Sequence, residues 1–256
     1  MQSEMFDAHR RVEADHWWFV GRRQALDGLM KVAQEAPNTG SIVDVGCGTG
    51  GMVAMLHKRW PMIGVDASDE AIGMAKALYP ECDFRVGYVP QDLEPLSADA
   101  SLWLLLDVLE HIEDDKTFLG DVISKARVGS HILVTVPADP RLWSQHDVTA
   151  LHQRRYERDS LAALWSDQPV SVRLFSHFNS RLYPLIYLAR WLGNKFKFSY
   201  GKDGTDFGIP PAPANALLAK IFGGEGEVLL KTLDSDKPQF HQGCSLVALL
   251  RREAEG

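Results

Sequence analysis

The feature that most constrains this chain is the run from Ser41 to Gly51. Five residues of strand character, Ser41-Ile42-Val43-Asp44-Val45, lead into Gly46-Cys47-Gly48-Thr49-Gly50-Gly51 and then into a helix-forming stretch. Glycines spaced this way allow positive φ and leave no Cβ between backbone and ligand, while the helix start beyond them offers free N–H groups. A second strand-like run, 61–65, ends at Asp66, twenty residues after Gly46. A carboxylate in that register accepts hydrogen bonds from ribose hydroxyls and disfavours a 2′-phosphate. Loop and acid together imply an adenosine-containing ligand.

Beyond the glycines, strand and helix patterns alternate. Strands are predicted over 41–45, 61–65, 83–86, 100–106, 131–136, 170–176 and 245–250, and helices over 4–34, 52–58, 70–79, 114–126 and 159–166. Segment 100–106 is apolar almost throughout, as a strand covered on both faces should be. The pattern predicts an α/β, Rossmann-like, seven-stranded and mostly parallel sheet with helices on both faces. Some seventy residues separate the sixth and seventh strands, too many for plain loop. That insertion carries a helical stretch at 182–195 and the run Ile209-Pro210-Pro211-Ala212-Pro213. One domain is expected across 1–256: a helical cap (1–37), a core (38–178), an insertion or lid (179–240) and the last strand (241–251).

Charge and composition narrow the partners. A net charge of -7 excludes the broad basic face of general nucleic-acid binders. The three cysteines, Cys47, Cys82 and Cys244, form no metal-spaced cluster, and the first residues lack the apolar core of a signal peptide. A cytoplasmic setting is therefore expected. Segment 181–197 mixes aromatic, apolar and basic residues and is too short to span a bilayer. Packing on the core, a homodimer contact and a peripheral membrane contact are its three readings.

Gly46-x-Gly48-x-x-Gly51 also satisfies the dinucleotide fingerprint, so NAD has to be weighed. Asp44 lies two residues before the first glycine, and Asp107 and Glu110 crowd the end of the fourth strand. Carboxylates there repel a pyrophosphate and attract the ammonium and sulfonium of S-adenosylmethionine (SAM). With these residues in view, Val43-Asp44-Val45-Gly46-Cys47-Gly48-Thr49-Gly50 resembles the first motif of class I SAM-dependent methyltransferases, and Gly64-Val65-Asp66 the second. The segment from Leu106 to Asp115 is similar to the stretch after strand four in the methyltransferase type 11/12 group. His16-Trp17-Trp18-Phe19, the segment Leu142 to Asp147, His152 and Arg154-Arg155-Tyr156 resemble a bacterial subgroup within it.

The resemblance implies transfer of a methyl group from SAM to a small-molecule acceptor, leaving S-adenosylhomocysteine (SAH). It sets Gly46, Cys47, Gly48 and Gly50 against the methionine part, Asp44 near the amino group, Asp66 and Ala67 at the ribose, and Asp92-Leu93 beside the adenine. Asp107 and Trp18 complete the expected cofactor site, with Trp18 folding over it. Two departures from the family pattern stand out: Gly87-Tyr88 and a longer 89–92 segment follow the third strand, and Arg127-Val128-Gly129-Ser130 replaces the usual Pro-Gly-Gly.

Methyl transfer needs alignment, exclusion of water and, for some nucleophiles, removal of a proton. His111, His146 and His152 fall on the rim where open α/β sheets bind ligands. With Asp147, Arg155 and Tyr156 they form the candidate chemical group. No metal is assigned; the combination considered is Glu110, Glu113 or Asp114 with His146. A catalytically silent SAM-binding or scaffold protein and an NAD-linked oxidoreductase are the alternative readings.

Overall fold

The computed structural model describes residues 10–35, 39–88, 92, 98–196, 205–235 and 237–254. Seven strands run in the order β3-β2-β1-β4-β5-β7-β6. They are β1 (Ser41–Val45), β2 (Met62–Asp66), β3 (Asp83–Val86), β4 (Ala100–Leu106), β5 (His131–Pro137), β6 (Val170–Phe178) and β7 (Ser245–Arg252). Pairing is parallel from β3 to β5, and β7 enters antiparallel between β5 and β6. This is the expected Rossmann-like α/β sheet. Its order reverses at β1 and β4, so the tips of these two strands open the crevice where such sheets take ligands.

The period of two along each strand divides the core. Val43, Trp103, Val134 and Ala248 face α4 (Asp115–Lys125) and α6 (Arg158–Ala162) through Leu119, Val122, Ile123 and Leu161. Their neighbours Ile42, Leu102, Leu133 and Val247 face the opposite layer. That layer is led by α1 (Trp17–Ala33), whose Leu26, Leu29, Met30 and Ala33 are fully buried. Four such apolar side chains give this helix its anchor, at about 1.5–3 kcal/mol for each large one removed from water. The same layer holds α2 (Gly51–Leu56) and α3 (Asp69–Leu78). The Ser68 side chain caps α3 by accepting from the Ala71 N–H at 3.2 Å.

Two sequence expectations change here. The helix expected over 4–34 is interrupted: a helical turn at 10–12 gives way to a bend, and α1 begins at Trp17 with His16 as its cap. The ring Nδ1 of His16 accepts from the Trp18 N–H at 3.3 Å, an N-cap rarely supplied by histidine. The second change concerns the insertion. Besides α7 (Tyr183–Phe196), close to the predicted 182–195, it contributes α8 (Ala212–Gly223) and α9 (Gly226–Leu230). The proline run sits at the start of α8, where a missing N–H costs nothing. Phe222 and Leu229 pack with α1, and Gly226 presses so closely that a Cβ there would lie 2.7 Å from the Ala25 carbonyl oxygen. The Asn215 side chain further accepts from the Trp17 N–H at 2.9 Å. N-terminal helix and insertion thus form one layer against the sheet.

Helix α7 keeps Leu185, Leu188 and Trp191 half exposed on one side. Among the described residues no helix is long and apolar enough to cross a membrane. The short helix α5 (Gln145–Thr149) follows β5 and completes the set.

Candidate active site

Strand β1 ends in the glycine loop, and the loop turns back on β2. The Gly46 and Cys47 N–H groups both donate to the Val65 carbonyl, at 2.8 and 3.1 Å. Gly46, Gly48 and Gly50 have φ of 71, 55 and 85°, a region costly for any residue with a Cβ. A Cβ built at Gly48 would meet nothing within 4 Å, so its backbone borders open space. Its N–H donates to Asp66 Oδ2 at 2.9 Å, while the Ser68 N–H donates to Asp66 Oδ1 at 2.9 Å. Two backbone donors therefore fix the Asp66 carboxylate and leave it acceptor capacity for a ligand.

The loop opens on a cavity of about 1140 Å³. Pockets for a single ligand usually hold about 300–1,000 Å³, so a nucleoside cofactor and a second molecule fit together. Asp44, Gly46, Cys47, Gly48, Asp66, Ala67, Asp107 and Trp18 all line it. Gly50 does not; it starts α2, and a Cβ there would meet the Phe84 ring at 2.5 Å. Asp92 is exposed, accepts from the Tyr88 N–H at 2.8 Å and is not among the lining residues, whereas Gly87 and Tyr88 are. Leu93 lies outside the described residues.

Carboxylates dominate the loop end. Burial pushes the Asp44 carboxyl up to about 7, with the charges of Glu13 and Asp66 adding to the effect and Arg22 opposing it. Burial likewise raises the Cys47 thiol, which stays a neutral wall of the cavity. Two charged groups that line the cavity escaped sequence reasoning. Glu13, from the turn before α1, accepts from Thr49 Oγ1 at 3.0 Å and from the Gly51 backbone, and burial raises its pKa. It occupies the N-terminus of α2, the place where a dinucleotide would put its pyrophosphate. Arg22 bonds Asp107 Oδ2 and stacks 4.5 Å from the Trp18 ring centroid. The signal for Arg22 was present: Trp18 and Arg22 lie four apart, which puts them on one helix face.

The same cavity reaches His111, His146, His152 and Arg155. These are organised around Asp147, which is fully buried. Asp147 Oδ1 accepts from His152 Nδ1 at 2.9 Å and from Arg155 Nε at 2.8 Å, and Oδ2 accepts from the Ser144 N–H at 2.9 Å. Burial alone would raise its carboxyl, but the His152 hydrogen bond and the Arg155 and Arg190 guanidinium groups outweigh that and hold it well below the usual range. An ionised carboxylate only accepts, so Nδ1 of His152 carries the hydrogen and Nε2 is turned away from Asp147. Arg155 also donates to the Ala138 carbonyl at 2.8 Å. Asp147 and Arg155 thus hold the rim segment onto β5.

His146 is wrapped by the insertion. Its Nδ1 accepts from the Asp206 N–H at 3.3 Å, its ring packs edge-on to Phe207 at 5.1 Å, and Arg190 pairs Asp206 at 2.6 Å. Burial keeps His146 neutral, its pKa down to about 4. His111 is also lowered to about 4, by burial and then by the neighbouring His152. Tyr156 is turned elsewhere: its hydroxyl donates to Asp115 Oδ2 at 2.6 Å, and it does not line the cavity. Glu113 and Asp114, considered with His146 as metal ligands, are exposed, and Asp114 caps α4 through the Thr117 N–H. Glu110 is the acid the fold brings in. It is completely buried, and neither carboxylate oxygen has a hydrogen-bond partner among the described residues.

A seven-stranded sheet of this order with an acid-lined glycine loop defines a nucleoside-binding α/β protein. A family model described as methyltransferase domain matches residues 15–190, and the chain belongs to that family. Among curated relatives, trans-aconitate 2-methyltransferase of Escherichia coli O1:K1 is 38% identical over 96 residues, 34% of this chain and 37% of its own length. The chain therefore spans little more than a third of that relative. A SAM dependent methyltransferase from Archaeoglobus fulgidus superposes with a TM-score of 0.57 at 13% identity, covering 98% of this chain and 100% of that one. Magnesium protoporphyrin IX methyltransferase from Synechocystis PCC 6803, with bound SAH, gives 0.54 at 21% identity over 71% and 91%. At such identities these two structures show a shared fold.

Proposed function

We propose that this protein transfers a methyl group from SAM to a small-molecule acceptor in the cytoplasm. The observation that carries the reading is the concentration of Asp44, Asp66, Asp107 and Glu13 around open backbone at Gly48. Such a site suits a ligand with an ammonium and a sulfonium, and Glu13 at the α2 N-terminus works against a pyrophosphate. Trp18, steadied by Arg22, closes over the cofactor. The acceptor lies beside His111, His146 and His152; His146, neutral near pH 7 and accepting the Asp206 N–H at Nδ1, keeps its hydrogen on Nε2 and orients a hydroxyl or amine acceptor as a donor. Leu185 and Ile209 line the cavity while remaining exposed, which favours an acceptor with an apolar part.

Calorimetry with SAH and with NAD tests the cofactor, and a methyl-transfer screen over metabolites tests the reaction. SAH should bind and NAD should not; Asp66→Ala should weaken SAH binding at least tenfold, while His146→Ala binds normally and turns over slowly. Binding of NAD in place of SAH would overturn the proposal. SAH binding without transfer to any acceptor would favour a silent cofactor-binding protein.

A further inference from the structure

Among the described residues Glu110 finds no side-chain hydrogen bond for its carboxyl. A fully buried carboxyl whose oxygens find no hydrogen bond to another residue among those described is a costly arrangement, and a bound cation would relieve it. Arg155, whose charge reaches Glu110, spends its hydrogen bonds on Asp147 and the Ala138 carbonyl. What faces Glu110 is imidazole. His152 Nε2 stands 4.0 Å from Glu110 Oε1, beyond hydrogen-bond reach, and the His111 and His152 rings meet edge-on at 4.9 Å between centroids.

From this arrangement we infer a divalent transition-metal site formed by Glu110, His111 and His152. One donor atom from each of the three lies within 4.8 Å of the others. Metal–donor bonds of about 2.0–2.2 Å set tetrahedral donors about 3.4 Å apart, so side-chain closure on the order of 1 Å completes the set. The surroundings of the two histidines match what a metal ligand needs. Asp147 holds His152 through Nδ1 and so directs its Nε2 lone pair at the cluster. His111 hydrogen-bonds to the Leu151 backbone, leaving one ring nitrogen for the ion. Leu151 itself is fixed at φ 59°, an unusual conformation for a branched residue. Two imidazoles and one carboxylate suit Zn²⁺, Mn²⁺, Fe²⁺ or Co²⁺ rather than Mg²⁺ or Ca²⁺, which take oxygen sets.

All three residues line the cavity, so open coordination positions face the space given above to the acceptor. The site therefore deepens the methyltransferase reading and rests on it. It selects acceptors whose reacting oxygen can bind a metal: a phenol, an enol or a hydroxy acid. Lewis-acid coordination lowers the pKa of such a hydroxyl. The O–H proton leaves to solvent, the O–CH₃ bond forms as the methyl–sulfur bond breaks, and the sulfonium becomes the neutral thioether of SAH.

The test uses the whole chain after chelator treatment, titrated with Co²⁺ and followed by its visible d–d absorption and by calorimetry, with SAH binding measured in parallel. His57, Glu81 and Cys82 form a second potential ligand group on the surface. The double variant His57→Ala, Cys82→Ser is therefore the background for every titration. One equivalent of Co²⁺ is expected, displaced by Zn²⁺. Affinity should fall at least a hundredfold in Glu110→Gln and in His152→Ala, and about 10–100-fold in Asp147→Asn through loss of the orienting hydrogen bond. A circular dichroism spectrum and melting temperature matching the parent show that Glu110→Gln is folded, and His111→Ala supplies a second ligand deletion. Absence of Co²⁺ binding, or binding indifferent to Glu110→Gln and His152→Ala, overturns the site. If SAH binds while Co²⁺ does not, the metal site alone falls; if neither binds, the cofactor reading falls with it.

Discussion

Asp44 couples cofactor binding to protons, and the coupling can be calculated. The carboxyl is held at about 7 in the folded protein, against 3.8 in its ordinary state. A bound ammonium and sulfonium favour the ionised form, so the ligand must expel a proton wherever Asp44 still carries one. With a pKa of 7, about 3% of the protein is ionised at pH 5.5 and half at pH 7, so affinity should rise about 16-fold over that interval and level off above it. Close to one proton should be released per ligand at pH 5.5, and about half of one at pH 7. Titration calorimetry of SAM and SAH, in buffers of differing ionisation enthalpy, measures both quantities. Asp44→Asn should bind more weakly at pH 7 and lose the Asp44 contribution to the pH dependence. The stability sign runs the other way. Between 3.8 and about 7 the folded protein holds the Asp44 proton that the unfolded chain gives up, so ionising Asp44 lowers stability as pH rises through that window. Asp44→Asn should therefore be no less stable than the parent at pH 7.5, which separates lost affinity from unfolding. An affinity independent of pH between 5.5 and 7, with no proton released, would refute the electrostatic account of the cofactor site.

Three further outcomes follow from the geometry. Asp147→Ala leaves the Arg155 charge buried without its partner, and denaturant unfolding should show a loss of about 3–5 kcal/mol. Tyr156→Phe removes one hydrogen bond to Asp115, so about 1 kcal/mol of stability should disappear while turnover on any identified acceptor stays at the parent value; a large fall in kcat would return Tyr156 to the chemical group. Gly48→Ala introduces no clash but forces alanine to φ 55° and projects a methyl into the cavity. Melting should report about 1–2 kcal/mol of strain, and SAH affinity should drop by more than that strain explains.

What the sequence could and could not disclose follows from the range of each interaction. The sheet was legible because β-branched and apolar runs such as 41–45 and 100–106 carry their strand character within five to seven residues. The gathering of Asp44, Gly46, Gly48 and Asp66 at one cavity was legible for the same reason: a loop and a strand end fix them relative to one backbone segment. Helix α8 was obscured by its own start, since 209–213 reads as a chain break until Pro211 is seen as the cap of a helix that only packing on α1 stabilises. Glu13 and Arg22 are a longer-range case, because their partners Thr49 and Asp107 lie 36 and 85 residues away. The rim histidines fall between. Their presence near β4 and β5 could be read, but their division of labour could not. Asp147 and Tyr156 are spaced like chemistry-bearing groups and are instead bonded to Arg155 and Asp115. Glu110, hidden among the acids that follow β4, is a buried acid whose side-chain oxygens find no hydrogen bond to another residue among those described. Burial separates these cases, and burial is set by the packing of β5, α5 and the insertion together. A carboxylate's sequence neighbours suggest that it can act, but only the folded surroundings decide whether its charge is already spent.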